Sequence, residues 1–402
     1  MTLGIVYHMP FWQTADGALW EAEGSFARYV DSLAPYFDEI LLAVPVFDTP
    51  PASGTRVRAG NVRLAPLPYF PGPRQFYPQV FSIDRRLRRF VAACDLVHVR
   101  IPSPAAIFAF RHAQRLQRPV FALIVGDYRA LLPQLPYRGI KKALFALYVA
   151  IEERAVRHIT RHALSFANGA ALRAKHAQDG TRVVETKTTT LQSGDIASRT
   201  DTCQGRPIRL LAVSRIDPRK NLGVLPEVVA ILGRDAIDVT LDIVGAPIGL
   251  LGERERDAIA AAARRLGVEQ RVSLRGPLPL DELMTAYRSY DVFVLPTGPG
   301  EGIPRVLLEA MAAGVPVVTT DVAGITSLVV NDHNGLLVKE PAAAAIAAAV
   351  RSLVEAPTLR QRLIRAGYDT ARAHTGDAQA AAMMEVVARE LGLALTKRPK
   401  VA

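Results

Sequence analysis

Short apolar runs alternate with longer amphipathic stretches along nearly the whole chain, and this alternation constrains the fold more than any other feature. Runs of about 4–8 aliphatic or β-branched residues read as buried strands, and apolar residues at i, i+3 and i+4 read as one face of a helix. Strands are expected at Leu3–His8, Glu39–Val44, Asp95–Val99, Val120–Val125 and Ala163–Phe166, with helices at Ser25–Tyr36, Ser103–Leu116 and Ile140–Arg157. The stretch from Pro45 to Pro78 is rich in Pro and Gly and reads as loop with one short strand near Val62. From Ile196 to Pro207 the chain is polar and lacks periodicity, as an interdomain linker would. The alternation then restarts. Strands are expected at Ile208–Val213, Val239–Val244, Arg271–Leu274, Val292–Leu295 and Val315–Thr319. The helices between them are Leu222–Leu232, Glu253–Leu266, Asp281–Arg288 and one running through Glu309, followed by Ala-rich helices from Ala342 onward. Strict alternation of this kind implies parallel sheets covered by helices, so the fold class is α/β with two Rossmann-like, doubly wound domains. The expected divisions are residues 1–200, residues 201–375, and a C-terminal helix and tail, 376–402, packing back toward the N-terminal domain. Two such domains imply a central cleft, with chemistry on the loops at the carboxyl ends of the strands.

Composition narrows the function. A chain of 402 residues exceeds one ordinary core, and 50% hydrophobic residues are enough for two and exclude disorder. Cys94 and Cys203 are its only cysteines, so no disulfide framework or Cys/His metal cluster is expected, and a reducing cytoplasm suits the chain. The first residues lack a basic leader, and the apolar stretch Ala143–Ile151 is far below the ~20 residues of a spanning helix. The expectation is a soluble protein, or one lying on a membrane without crossing it. Its net charge of +11 is concentrated in residues 1–200, which carry 25 Lys/Arg against 15 Asp/Glu, whereas residues 201–402 carry 24 against 23. A basic half attracts nucleic acid, anionic lipid or an anionic substrate. No helix-turn-helix, finger or RNA-binding aromatic motif is present, so a nucleic-acid-binding protein ranks lowest.

Two segments carry the chemistry. Gly298-Pro299-Gly300-Glu301-Gly302-Ile303-Pro304-Arg305-Val306-Leu307-Leu308-Glu309 follows an expected strand and opens a helix. Glycines allow a ligand close to the backbone, Pro304 suits the first helical turn, and the helix N-terminus favours an anion. Arg305 and Glu309, four apart, can share a face and form an ordinary surface pair. Val213-Ser214-Arg215-Ile216-Asp217-Pro218-Arg219-Lys220-Asn221 also lies at a strand's carboxyl end. Arg215 and Lys220 there are either solvated charges or a clamp for a diphosphate. No GxGxxG follows the first strand, and Gly245, Gly249 and Gly252 have the wrong spacing, which argues against a dinucleotide oxidoreductase.

Taken together, these segments resemble family-4 glycosyltransferases of the GT-B fold. The resemblance covers most of residues 205–340, through "VSRIDPRKN", "LDIVG", "VSLRGPL", "YDVFVLPT", "EGIPRVLLE", "AMAAGVPVV" and "NGLLV" in the family's order. It implies a GT-B enzyme that uses a nucleotide-diphosphate sugar as co-substrate, needs no cofactor or metal, and retains the anomeric configuration. It also implies roles: Arg215 and Lys220 hold the diphosphate, and Glu309 bonds the ribose hydroxyls. Glu301, with the Gly302–Ile303 backbone and Pro304 and Arg305 behind it, meets the transferred sugar. Gly276 and Leu278 line the base pocket, and Gly24 and Ser25 form the glycine loop near the phosphates. The chain departs from the pattern in having Ile303-Pro304 where many relatives have Phe-Gly. It also has Gly126-Asp127-Tyr128 where many have a histidine, so either Asp127 takes that role or the role is absent. His98 reads as a core histidine.

The expected partners are a nucleotide sugar and a carbohydrate or lipid-linked glycan acceptor, with an anionic membrane surface near the basic half. Helix Ile83–Val91 carries Arg85, Arg86, Arg88 and Arg89 away from its apolar face, and Lys141-Lys142 precede an apolar run. The expected setting is bacterial polysaccharide or glycolipid assembly on the inner membrane face. A GT-B sugar-nucleotide epimerase is the alternative.

Overall fold

The computed structural model describes residues 1–21, 25–47, 54–70, 73–131, 139–298 and 304–398. The chain divides into two compact units, Met1–Thr190 with Gly376–Ala402, and Leu191–Thr375.

Unit 1 contains β1 (Thr2–Val6), β2 (Phe11–Gln13), β3 (Leu19–Glu21), β4 (Glu39–Ala43), β5 (Thr55–Arg56), β6 (Val62–Leu64), β7 (Leu96–Ile101), β8 (Val120–Ile124), β9 (Leu164–Asn168) and β10 (Val183–Thr186). Seven of them form a sheet in the order β10-β9-β8-β7-β1-β4-β6, in which every neighbouring pair is parallel. β2, β3 and β5 form a small antiparallel sheet. Every residue of β7 is buried, as a central parallel strand covered on both faces requires. Alternate strand residues feed two layers. Ile5, Leu96 and Phe121 pack with Phe26 and Val30 of helix Ser25–Leu33, and Met383, Met384 and Val387 of helix Gly376–Leu391 join that layer. Val6, Val97 and Val99 pack on the other side with Ile83, Leu87 and Phe90 of helix Val80–Ala92. Arg85, Arg86, Arg88 and Arg89 on that helix are exposed.

Unit 2 contains β11 (Ile208–Val213), β12 (Val239–Val244), β13 (Val272–Gly276), β14 (Val292–Leu295), β15 (Val317–Thr320) and β16 (Leu336–Val338). They form one parallel sheet in the order β13-β12-β11-β14-β15-β16. The chain runs outward from β11 through β12 to β13, then returns to the opposite side of β11 as β14. This reversal is the topological switch point at which doubly wound sheets bind ligands.

The segment Ile196–Pro207 is not a free linker, because it is packed into unit 2. Ala197 N–H donates to Ala312 O and Arg199 N–H to Tyr368 Oη, both at 2.8 Å. Asp201 accepts from Arg360 Nε at 2.8 Å and Nη2 at 3.1 Å, with the Arg360 side chain only 3% exposed. Cys203 N–H donates to Asp291 Oδ1 at 2.8 Å. The segment's polarity is matched by partners distant in sequence. The Pro/Gly-rich stretch also holds more than one strand, since β5 and β6 both fall in it. No described helix is long and apolar enough to cross a membrane.

Candidate active site

The carboxyl ends of β11 and β14 lie side by side, because the two strands pair at Leu210↔Val292 and Leu211↔Phe293. The turn after β11 is built by Asp217, whose Oδ1 accepts from Arg219 N at 3.0 Å and whose carboxylate receives Arg219 Nη2 at 2.7 Å. That guanidinium, the backbone N–H of Arg219 and the charge of Arg215 hold the Asp217 carboxyl down to about 2. Asn221 closes the turn in the left-handed region at φ +50, so the helix expected from Leu222 starts at Leu225 after a single tight turn. Arg215 is exposed and Lys220 half-buried on this turn.

Two glycines allow the strand-end loops to meet. Gly245, after β12, takes φ +147, and a Cβ there would lie 1.9 Å from Ser214 O. Gly298, after β14, donates its N–H to Arg219 O at 2.8 Å, and a Cβ would lie 3.1 Å from that oxygen. The Arg215–Asn221 turn and the Gly298 segment are therefore hydrogen-bonded neighbours at the switch point. Pro304 is the N-cap of helix Arg305–Ala312, one residue before the first turn where sequence places it. Arg305 at the helix start is exposed.

Glu309 is not half of a surface pair with Arg305. It is 4% exposed, and its Oε2 accepts from Tyr287 Oη at 3.0 Å. Burial and the Glu309 carboxylate raise the Tyr287 hydroxyl well above its usual range, so it remains a donor. Tyr287 was not legible as a site residue. It lies on the short turn after helix Leu280–Ala286, and only the fold brings it to Glu309. Gly276 ends β13 at φ +69 and accepts from Gly245 N–H at 2.9 Å, and Leu278 packs partly buried against the core cluster that includes Tyr287 and Leu307. Glu301, Gly302, Ile303 and Gly24 lie outside the described residues.

Ser25 and Asp127 belong to unit 1. Ser25 opens helix Ser25–Leu33, whose Phe26 and Ala27 amides donate to Glu21 Oε2 at 3.1 and 3.0 Å. A carboxylate of the chain itself therefore caps the helix end that was expected to face phosphate. Asp127, beyond β8, accepts from Arg129 N–H at 2.9 Å and from Lys175 Nζ at 2.8 Å, and Lys175 also pairs with Glu153 at 2.7 Å. His98 is fully buried, bonded to Tyr29 Oη at 2.9 Å and stacked on Phe121, and burial with the Arg100 charge lowers it to about 3. Among the described residues no three His, Cys, Asp or Glu side chains gather as metal ligands.

Residues 199–370 match the family described as Glycosyl transferases group 1. A D-inositol 3-phosphate glycosyltransferase of Streptomyces avermitilis is 32% identical over 185 residues, 43% of this chain and 39% of that protein. The amylovoran biosynthesis glycosyltransferase AmsK of Erwinia amylovora is 36% identical over 148 residues, 36% of this chain and 35% of that protein. The aligned stretch thus spans well under half of these relatives' own lengths. The fold is similar over nearly the whole chain. HepE of Anabaena in complex with UDP superposes with TM-score 0.64 at 16% identity, covering 97% of this chain and 100% of that one. A sucrose-phosphate synthase of Thermosynechococcus elongatus superposes with TM-score 0.63 at 15% identity, covering 98% and 99%. The chain has the GT-B fold, and its residues 199–370, which make up most of unit 2, match the group 1 glycosyltransferase family.

Proposed function

We propose that the protein transfers a sugar from a nucleotide-diphosphate donor to an acceptor hydroxyl, with retention of anomeric configuration and without a metal. The observation that carries this reading is the joining of the Arg215–Asn221 turn to Gly298 at the β11/β14 switch point. When the glycosyl–phosphate bond breaks, negative charge grows on the departing diphosphate. Arg215 and Lys220 supply fixed positive charge for it, and such preorganised stabilisation is usually the largest catalytic contribution. In this reading Glu309, aimed by Tyr287, bonds the ribose. Glu301, Gly302 and Ile303 meet the transferred sugar, with Pro304 and Arg305 starting the helix behind them. Gly276 and Leu278 flank the base. Asp127, as the ion-paired partner of Lys175, positions groups near the acceptor. The UDP and UDP-glucose complexes of HepE support a nucleotide-sugar donor. AmsK and the putative colanic acid glycosyltransferase WcaL of Salmonella typhimurium support a place in polysaccharide assembly.

Unit 1 also favours an acceptor held at an anionic membrane surface on the cytoplasmic side. On helix Gly139–His162, Ile140, Leu144, Leu147 and Ile151 are 79%, 62%, 59% and 48% exposed and follow helical spacing along one stripe. Lys141 and Lys142 beside them are exposed, and each basic residue near an anionic surface contributes about 1 kcal/mol. The experiment is a thermal-shift screen with UDP-, GDP- and dTDP-sugars, followed by product analysis with and without acceptor. One nucleotide sugar should stabilise the protein, and glycoside should form only with acceptor. Epimerised donor without acceptor, or no stabilisation by any nucleotide sugar, would overturn the reading. For the membrane, Leu144→Glu with Leu147→Glu should abolish co-sedimentation with anionic liposomes, and binding that survives this change would remove the stripe from the account.

A further inference from the structure

Unit 1 has a switch point of its own, between β1 and β7. The chain passes from β1 to β4 and β6 on one side and returns as β7 on the other. Val6 pairs with Val99, so Tyr7 and Arg100 come next on the two strands, followed by His8 and, beyond β7, Ser103. Arg100 is 6% exposed. Its guanidinium carbon lies 4.5 Å from the ring centres of Tyr7 and Tyr29 and 4.7 Å from that of Phe26. The rings accommodate the cation but accept none of its in-plane N–H bonds. Arg100 Nε and Nη1 are buried without a hydrogen-bond partner, and so are His8 Nδ1 and Ser103 Oγ.

Buried polar groups are ordinarily hydrogen-bonded, and a buried cation is ordinarily paired. Here a guanidinium, an imidazole and a hydroxyl all keep idle polar atoms around the carboxyl ends of adjacent strands, where sheets of this type bind ligands. We propose that Arg100, with His8 and Ser103, forms a subsite for an oxyanion, a phosphate or carboxylate, carried by the acceptor. This rests on the reading of the chain as a glycosyltransferase whose unit 1 receives the acceptor. Burial and the Arg100 charge lower His8 to about 4, so near neutral pH the imidazole is uncharged and offers one N–H. Arg100 alone supplies the positive charge, in fork geometry suited to two oxygens.

The test titrates the full chain with inorganic phosphate, glucose 6-phosphate, glucuronate and glucose at constant ionic strength, with the donor site saturated by its nucleoside diphosphate. At least one anionic probe should bind and glucose should not, and preference for the phosphates or for glucuronate identifies which oxyanion the acceptor carries. Arg100→Gln should weaken binding of the preferred probe at least tenfold and leave nucleotide affinity unchanged. Arg100→Met, which fills the ring cage without charge, should do the same. A second readout needs no variant: the His8 ring-nitrogen resonance should move as phosphate is added to the wild-type protein. Equal probe affinity in wild type and either Arg100 variant would overturn the subsite, as would an unmoved His8 resonance or an absence of anion binding while nucleotide binds. Failure of nucleotide to bind would instead count against the glycosyltransferase reading.

Discussion

Tyr287→Phe isolates the contact that gives Glu309 its proposed role. The hydroxyl donates to Glu309 Oε2 at 3.0 Å, with Tyr287 fully buried and Glu309 4% exposed. A hydrogen bond to a charged group contributes about 1.5–3 kcal/mol, so its loss should destabilise the protein by roughly that amount. If the carboxylate also bonds the ribose, the same change leaves it poorly aimed. Nucleoside diphosphate affinity should then fall about tenfold, corresponding to ~1.4 kcal/mol. Glu309→Gln keeps the shape, removes the charge, and should weaken nucleotide binding at least as much. In the double variant the losses should not add, because both changes disrupt one interaction. Calorimetric titration of all four proteins, with thermal unfolding in parallel, separates binding from stability. Lower stability with wild-type nucleotide affinity in both single variants would refute the ribose role and leave Glu309 as a core partner of Tyr287.

Arg215→Ala and Lys220→Ala should each lower turnover by roughly 10²–10³-fold, the scale for losing one preorganised stabiliser, and near-normal rates in both folded variants would dismiss the diphosphate clamp. Activity should persist in excess EDTA, because the proposed charge stabilisation comes from side chains; loss of activity restored by Mg²⁺ or Mn²⁺ would contradict it. Burial raises Glu152 from 4.5 to about 7, with Tyr148 partly opposing the shift. The folded state therefore keeps a proton that the unfolded chain releases above about pH 4.5, and stability falls as pH rises through 7. Glu152→Gln should raise Tm over wild type more at pH 8 than at pH 5, and an equal gain at both would show that the carboxyl does not titrate in this way.

The sheet strands were legible because β14 is wholly apolar and β11 and β12 are short aliphatic runs interrupted only by Arg209, Thr240 and Asp242, a pattern that needs no tertiary information. The Arg215–Asn221 and Gly298–Glu309 segments were legible because each follows such a strand, so their loops had to reach the carboxyl edge of the sheet. Short strands were harder: β2 and β3 have three residues each and carry too little pattern to stand out. Contacts between distant segments were invisible. Tyr287 reads as one more apolar residue near a helix end until the fold sets it against Glu309. Ile196–Pro207 read as a linker because its partners, Asp291 and Arg360, lie 88 and 159 residues from Cys203 and Asp201. Arg100 gave no signal, since its significance lies in three rings, Tyr7 just after β1 and Phe26 and Tyr29 of helix Ser25–Leu33, that only the fold brings to it.

Hydrogen–deuterium exchange with and without the nucleoside diphosphate that stabilises the protein tests the central claim most directly. If unit 2 holds the donor at the β11/β14 switch point, nucleotide should slow exchange in the peptides covering Arg215–Asn221 and Gly298–Glu309. A weaker effect is expected at Gly276–Leu278 and none along β15 and β16. Protection confined to unit 1, or unchanged exchange at both switch-point segments under saturating nucleotide, would contradict the account.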